Sequence, residues 1–187
     1  MTLGTATGPG AGAPEPAGPA GEGAAPVGAP LGAPLAEAAL LGCLLQTTPA
    51  HGREVMARLT EQDWSVPQHA HVPQAIRVLL EDGAPVDPVT VLGQLRRQGL
   101  EKAHTASRDA GVLLLELCQS APTIASASHY TRIVLEQSYR RRVQTAALWL
   151  LRAAEHASFD ALTDLTHAEH DAITNQQQRL AAGAPTA

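Results

Sequence analysis

The stretch SASHYTRIVLEQSYRRRVQTAALWLLRAAEH, residues 126–156, decides the fold of this chain. It contains neither Gly nor Pro over a length sufficient for about eight helical turns. Its apolar residues recur at spacings of three, four and seven, which places them on one stripe of a helix. They are Tyr130, Ile133, Val134, Val143, Ala146, Ala147, Leu150 and Ala154. The pattern predicts one long helix whose stripe is buried against a neighbour.

A second helix is predicted over residues 160–180, after a break at Ala157 and Ser158. The first arm, residues 126–156, carries five Arg against two Glu, a net charge of +3, and the second carries four carboxylates against one Arg, a net charge of −3. Opposite charges favour two antiparallel arms side by side, although each exposed pair contributes little. These segments therefore predict a helical hairpin.

Four consecutive apolar residues, Leu148, Trp149, Leu150 and Leu151, point around the whole circumference of the first arm. A hairpin covers one stripe of each arm, so at least one of these side chains faces away from the second arm. A monomer would expose this apolar surface, which proteins in water normally cover by association. We therefore expect a homodimer or a higher even-numbered oligomer.

The first 34 residues differ in composition from the rest of the chain. Residues 1–34 hold nine of the sixteen Gly and seven of the fourteen Pro, with no Lys or Arg. Such a segment offers too little apolar surface to offset the entropy of ordering, and we expect a disordered tail. It lacks the positive region and the continuous apolar run of a signal peptide, and no later run reaches membrane-spanning length. We expect a soluble cytoplasmic protein with no membrane segment.

Residues 35–122 are predicted to form a compact head of short helices. Residues 35–46 are rich in Ala and Leu and predict a buried first helix. Two further helices are marked by an N-cap residue followed by proline, and two helix ends by glycine. The caps are Thr48 with Pro49 and Asp87 with Pro88, and the ends are Gly83 and Gly99.

The rest of the head is predicted to contain a short turn, an interrupted helix, and a loop followed by a capped helix. A short turn is expected at residues 61–64, and Pro73 should kink or delay a helix that Pro67 could open. Residues 101–108 lack any period and predict a loop, after which Asp109 caps an apolar helix.

No strand pattern occurs along the chain, so the predicted class is all-α. The predicted domain spans 35–180, divided into the head at 35–122 and the hairpin at 126–180, with a short disordered tail at 181–187.

The two cysteines, Cys43 and Cys118, lie in apolar helical patterns and are expected to be buried thiols rather than a disulfide or metal ligands.

The net charge of −5 argues against non-specific coating of nucleic acid, so any contact with DNA would be local, indirect or weak. The run Arg140–Arg142 spreads around the helix. A solvated face with a salt bridge to the second arm is the simpler interpretation, and DNA or partner contact is the alternative.

No constellation of catalytic residues is visible. A P-loop requires GxxxxGK[ST], whereas Lys102 is the only lysine and has neither the glycine spacing nor the hydroxyl. A metal site at His167 and His170 would have two nitrogens on one helix, too few for a closed zinc site. We expect no enzyme activity, no cofactor and no metal.

The order of these elements resembles the N-terminal domain of DnaB-type replicative DNA helicases, over about 140 residues from Leu35 to near Ile173. The resemblance in the head rests on AEAALLGCLLQ, Leu59, Asp63-Trp64, Pro67-x-His69, Ala75-Ile76, Leu79, Gly83-x-Pro85-Val86-Asp87-Pro88-Val89-Thr90-Val91, Leu95 and Gly99. In the hairpin it rests on Pro122-Thr123, Tyr130, Ile133-Val134, Glu136, Arg141, Arg142, Leu165 and Ala168-Glu169.

The resemblance implies a helical head and a hairpin that dimerises. In full-length relatives three such dimers form a collar over the motor ring and help to engage primase. Together with the apolar pattern, it predicts a dimer or partner interface at the following residues. They are Tyr130, Val134, Arg141, Arg142, Leu148, Trp149 and Leu151.

Three functions fit a collar domain that ends at residue 187 without a motor. The first is a non-enzymatic replication protein that dimerises and binds a DnaB-type helicase, a primase or a helicase loader. The second is one subunit of a split helicase whose ATPase is a separate chain. The third is an inhibitor that caps collar dimers with motorless subunits.

Overall fold

The computed structural model describes residues 32–67, 69–99 and 109–182. Seven α-helices and no strand occur in these ranges, which confirms the predicted all-α class. The helices are α1 (Ala33–Leu44), α2 (Pro49–Met56), α3 (His71–Glu81), α4 (Pro88–Arg97), α5 (Ala110–Ser120), α6 (Ala127–His156) and α7 (Phe159–Ala181). Single 3₁₀ turns lie at Glu61–Asp63 and Ile124–Ser126.

The predicted tail at 1–34 lies outside the described residues except for its last three, and the predicted loop at 101–108 lies wholly outside them. Most of the predicted C-terminal tail at 181–187 is also outside. Helix α1 begins at Ala33, whose side chain is buried, and α7 ends at Ala181. The helical structure therefore extends slightly beyond the predicted limits of 35 and 180.

Helix α1 lies at the centre of the head. Leu40, Leu41 and Leu44 are fully buried, as the Ala- and Leu-rich composition predicts, and the helix packs against α5 and α6. The crossing with α5 is close at Gly42, where a Cβ atom would overlap the carbonyl oxygen of Leu117. Glycine at this position allows the two backbones to approach each other closely.

The predicted helix starts are confirmed. Thr48 accepts a hydrogen bond from the His51 amide, Asp87 accepts from the amides of Val89 and Thr90, and a proline occupies the first turn of α2 and α4. Asp109 accepts from Gly111 at the start of α5. These caps satisfy amides that have no partner within the helix, so the short helices of the head begin where the sequence predicts.

The predicted helix ends are also confirmed. Gly83 and Gly99 have φ angles of 69° and 67°, which glycine adopts without a Cβ penalty. After α3 the amides of Gly83 and Ala84 bond the carbonyls of Leu80 and Leu79, the paired bonds of a Schellman motif. Pro73 lies in the first turn of α3, so the helix begins late, at His71, instead of at Pro67.

The first half of α6 belongs to the core of the head. Ala127, Val134 and Leu135 are buried in the same cluster as α1, and Thr131 and Ser138 are buried beside them. The single stripe predicted along α6 is therefore only partly right, since Val143 and residues 147 and 154 are exposed. Helix α6 packs against both α1 and α7, and Gln176 of α7 reaches Ser138 in the first half, so no single stripe is buried along the whole helix.

Both cysteines are free thiols. Cys43 is completely buried and its Sγ donates to the carbonyl of Thr123 at 3.3 Å, whereas Cys118 is half-buried. Burial raises the pKa of each thiol, so neither is activated as a thiolate.

In the described ranges no single helix combines the length and apolar character needed to cross a membrane, and α5 with the segment Ile124–His156 meets both criteria only as a pair bent by 87°.

Candidate interaction surface of the helical hairpin

The hairpin consists of α6 and α7 joined by a two-residue break. Helix α6 has 30 residues and α7 has 23. The hydroxyl of Ser158 accepts a hydrogen bond from the Ala161 amide at 3.3 Å and caps the start of α7. This N-cap stops α6 from continuing and turns the chain back along it.

The inner face of α7 is polar where it is most closely packed. Its two buried residues are Glu169 and Gln176. Glu169 Oε2 lies 2.6 Å from Arg142 Nη2, and Gln176 Nε2 donates to Ser138 Oγ at 2.5 Å. The two arms are thus joined by polar contacts, and the predicted salt bridge between oppositely charged arms is confirmed at Arg142.

The three consecutive arginines have different surroundings. Arg140 is exposed, Arg142 pairs with Glu169, and Arg141 Nη2 donates to the carbonyl oxygen of Asp63 at 2.7 Å. Successive helical residues point about 100° apart, which places each guanidinium against a different neighbour. Both arginines predicted for an interface, Arg141 and Arg142, therefore make contacts within the protomer.

Asp63 lies at the junction of the head and both arms and is completely buried. Its carboxylate accepts from the amide and hydroxyl of Thr60, at 2.7 and 2.9 Å, and from Ser138 Oγ of α6 at 2.6 Å. Arg179 of α7 completes the set with contacts of 2.7 and 3.3 Å. Burial by itself raises the pKa of Asp63, but the hydrogen bonds from Arg179, Ser138 and Thr60 outweigh burial and hold the pKa below its usual value.

Sequence reasoning missed this network. The short turn here was expected from the sequence, and the spacing of Thr60 and Asp63 is a capping-box pattern that could have linked the Asp63 carboxylate to Thr60. Nothing in the local sequence connects Asp63 with Ser138 or Arg179, since such pairs form only when distant helices pack.

A second buried carboxylate holds the loop before α3. Glu37 of α1 accepts from the amide and hydroxyl of Ser65 and from the Val66 amide, and its Oε2 lies 3.2 Å from His69 Nδ1. Burial raises the pKa of Glu37, yet the hydrogen bonds from His69, Ser65 and Val66 lower it by more. His69 is therefore part of a structural pair. Among the described residues, no cluster of three or more His, Cys, Asp or Glu side chains has the arrangement of a metal site.

Large apolar side chains are exposed near the end of the hairpin where the arms join. Leu148, Trp149 and Leu151 of α6 are 60%, 58% and 61% exposed, and Phe159 at the start of α7 is 82% exposed. Leu148 and Leu151 are three residues apart and share one side of α6. We call these four residues the tip surface. Sequence reasoning missed Phe159, although it is the only Phe in the chain and stands at the first position of the second arm.

The remaining two residues predicted for an interface lie elsewhere. Val134 is 1% exposed in the core of the head, so its assignment to an interface is wrong in this structure. Tyr130 is half-buried against the same core. Both lie on the half of α6 that packs with α1, where the apolar pattern reflects the protomer's own core.

Comparison with known proteins decides the family. The family model described as the DnaB-like helicase N terminal domain matches residues 30–136, more than half of the chain. The chain belongs to this family. The structure of the N-terminal domain of DnaB helicase from Mycobacterium tuberculosis has a similar fold, with a TM-score of 0.64 and 29% identity, and the match covers 75% of this chain and 95% of that one.

The curated relatives of this DnaB-like N-terminal domain are much longer proteins. Replicative DNA helicase DnaB from Mycobacterium leprae is 34% identical over 139 residues, which is 72% of this chain and 22% of the relative. The corresponding helicase from Leifsonia xyli is 29% identical over 147 residues, or 77% of this chain and 31% of the relative. The chain thus spans less than a third of the length of these two relatives. What it shares with them is the N-terminal domain, which does not carry the ATPase motor.

Proposed function

We propose that this DnaB-like N-terminal domain is a non-enzymatic replication module. It dimerises through the tip surface of the hairpin and binds a DnaB-type helicase, a primase or a helicase loader. The observation that carries the proposal is the exposure of Leu148, Trp149, Leu151 and Phe159 together in a domain of this family.

Exposed apolar area at the tip favours association. Isolated apolar residues on a surface are ordinary, but two leucines, a tryptophan and a phenylalanine within a dozen residues form a group of the kind found at interfaces. Burial of such side chains contributes roughly 25 cal/mol for each Å² removed from water. Trp is also among the residues that most often dominate interface energies. We therefore expect Trp149 to contribute the largest share of the contact energy.

The second arm cannot cover this surface within the protomer. The buried residues of α7 are Glu169 and Gln176, both engaged with polar groups of α6. Leu148 and Leu151 lie on a different side of α6 from Ala146, which is the buried residue of that half. A second copy of the chain supplies the complementary apolar surface, as the two-fold symmetry of homodimers allows.

Substitution of Trp149 tests the dimer. Trp149→Glu would place a charge in the contact, at a cost of several kcal/mol if the carboxylate is desolvated. We expect a folded monomer by sedimentation velocity, whereas the unchanged protein sediments as a dimer or a higher even oligomer. Leu115→Glu is a matched control, because Leu115 is 59% exposed on α5 of the head. A Trp149→Glu protein that dimerises with unchanged affinity would rule out the tip surface as the interface.

Partner binding needs a separate experiment. The tagged protein would be mixed with a purified DnaB-type helicase, a primase and a loader in turn, and the recovered complex assayed for ATPase activity. Recovery of one of these partners, with no ATPase activity in this chain alone, supports the module. A complex in which this chain and a separate ATPase chain are both required for unwinding indicates a split helicase instead, and loss of activity on mixing indicates an inhibitor.

A further inference from the structure

A cleft lies between the turn after α2 and the two arms of the hairpin, on the side of α6 that carries Arg141. Its volume is about 270 Å³, and it is lined by Gln62, Ser138, Arg141, Arg142, Thr145 and Gln176. An adjoining cleft of about 450 Å³ shares Gln62, Arg142 and Gln176 with it. The lining is rich in hydrogen-bond donors and includes two guanidinium groups.

Arg141 has no carboxylate partner among the described residues. Its Nη2 donates to a neutral acceptor, the backbone carbonyl of Asp63, and its buried Nη1 has no hydrogen-bond partner in the described part of the chain. The Asp63 carboxylate is already occupied, because each of its oxygens accepts from Arg179 and from at least one other donor. Arg141 is thus a half-buried cation whose charge is not balanced by the Asp63 carboxylate, which pairs with Arg179.

Arg142 adds a second unsatisfied donor to the same cleft. Its Nη2 lies 2.6 Å from Glu169 Oε2, which balances its charge, and its buried Nε and that carboxylate oxygen are both without a well-aligned hydrogen bond among the residues described. Native proteins rarely leave a buried donor without a partner, and a bound ion can satisfy a donor that finds no acceptor within the protein. A guanidinium also matches oxyanions in geometry, since it presents two parallel N–H groups.

We infer that this cleft binds a small oxyanion of the phosphate class, with Arg141 as the principal ligand and Arg142 as the second. Arg141 Nη1 and Arg142 Nε are buried in this structure, so the guanidinium groups must turn toward the cleft for these nitrogens to reach an anion in it. The side chains of Gln62 and Thr145 supply neutral donors at its rim. The inference does not depend on the proposed dimer, because every lining residue belongs to one protomer and none is part of the tip surface.

The test titrates the chain of residues 1–187 with inorganic phosphate, pyrophosphate and ATP at constant ionic strength, with calorimetry and thermal melting as the two measurements. Phosphate also stabilises many proteins without binding to a site, an effect that does not saturate and acts on all variants alike. The expected result is a saturable heat of binding and a saturable rise in Tm. Saturable binding of inorganic phosphate or pyrophosphate would identify a free oxyanion as the ligand. Saturable binding of ATP alone would identify the phosphate groups of a nucleotide.

Three variants make the test specific. Arg141→Gln should weaken binding at least tenfold, whereas Arg140→Gln removes the same charge from the neighbouring exposed position and should bind like the unchanged protein. Gln62→Glu places a carboxylate at the rim as an internal counter-charge, and we expect it to abolish binding without loss of helical circular dichroism, which keeps the test decisive even if Arg141→Gln fails to fold. Absence of saturable binding for all three ligands, or equal binding by Gln62→Glu and the unchanged protein, overturns the inference.

Discussion

Arg179, near the end of α7, donates two hydrogen bonds to the carboxylate of Asp63, which lies 116 residues earlier in the chain. The carboxylate is completely buried, whereas the side chain of Arg179 is 30% exposed. The contact ties the last turns of the hairpin to the head, and Ser138 of α6 bonds the same carboxylate. One side chain of the head therefore fixes the position of both arms.

Asp63→Asn should release the end of α7. The substitution leaves the guanidinium of Arg179 without its counter-charge, and we expect a loss of about 3 kcal/mol in the free energy of unfolding. Hydrogen exchange should become faster in residues 170–181 before it changes in α1, since the last turns of α7 lose their anchor on the head.

Glu136→Gln is the control for Asp63→Asn. It removes an exposed pair with Arg132, separated by 2.8 Å on one face of α6, and pairs of this kind contribute about 0.5 kcal/mol or less. Equal effects of the two substitutions in urea denaturation would contradict the role assigned to Asp63.

Stability should fall in acid because of Asp63 and Glu37. The folded-state pKa of each carboxyl lies below its value in the unfolded chain, near 3.8 for Asp and 4.5 for Glu. The stabilisation is therefore fully present above these unfolded values and is lost as the pH falls through the lower folded values, because the unfolded chain binds the protons first. Urea denaturation at several pH values between 3 and 7 measures the slope of the unfolding free energy against pH.

The slope should be smaller in Asp63→Asn than in Asp164→Asn, which removes an exposed carboxylate of α7. A slope that is the same in both variants would show that Asp63 has the same pKa in the folded and unfolded states.

Two glycine substitutions should have opposite effects. At Gly42 a Cβ atom would overlap the backbone of Leu117, so Gly42→Ala must push α1 away from α5 and should cost about 2–3 kcal/mol. At Gly93, in the interior of α4, a Cβ atom would make only an ordinary contact with Arg97, at 3.7 Å. Gly93→Ala should therefore stabilise the protein by about 0.5–1 kcal/mol through helix propensity. Thermal and urea unfolding measure the change in stability of each variant. A Gly42→Ala protein as stable as the unchanged protein would mean that α1 can move away from α5 at no cost.

The melting temperature should depend on protein concentration if the tip surface forms a dimer. Association stabilises the folded state by mass action, so dilution shifts the equilibrium toward the unfolded chain and lowers Tm. We expect Tm to fall on hundredfold dilution of the unchanged protein and to stay constant for Trp149→Glu. Differential scanning calorimetry at several concentrations gives the comparison, and a Tm of the unchanged protein that is independent of concentration counts against the dimer.

Local features of the fold were predictable from the sequence because they depend on neighbours in the chain. Caps such as Asp87, helix ends such as Gly83 and the delayed start of α3 caused by Pro73 were all confirmed. Each arises from a steric or hydrogen-bonding effect within a few residues. The family was also accessible, since the order of these signals along the chain is specific even though each alone is common.

The candidate surfaces were less predictable. The sequence identified Leu148, Trp149 and Leu151 as too apolar to be covered by one neighbour, and the structure leaves all three exposed. It wrongly included Val134, because an apolar residue on an amphipathic helix has the same pattern whether it faces its own core or a partner. Phe159 was missed, because one aromatic residue at a helix start has no periodicity to reveal it.

The sequence by itself determined where the helices lie, their all-α class and the family of the domain, because propensity, capping and apolar spacing act over short distances along the chain. Only the tertiary structure decided which face of α6 is buried in each half, and which residues meet at the junction. Asp63, Ser138 and Arg179 come from three separate segments. Their hydrogen bonds exist because packing of the apolar core brings those segments together and removes water from the carboxylate, so that each buried polar group must find a partner within the protein.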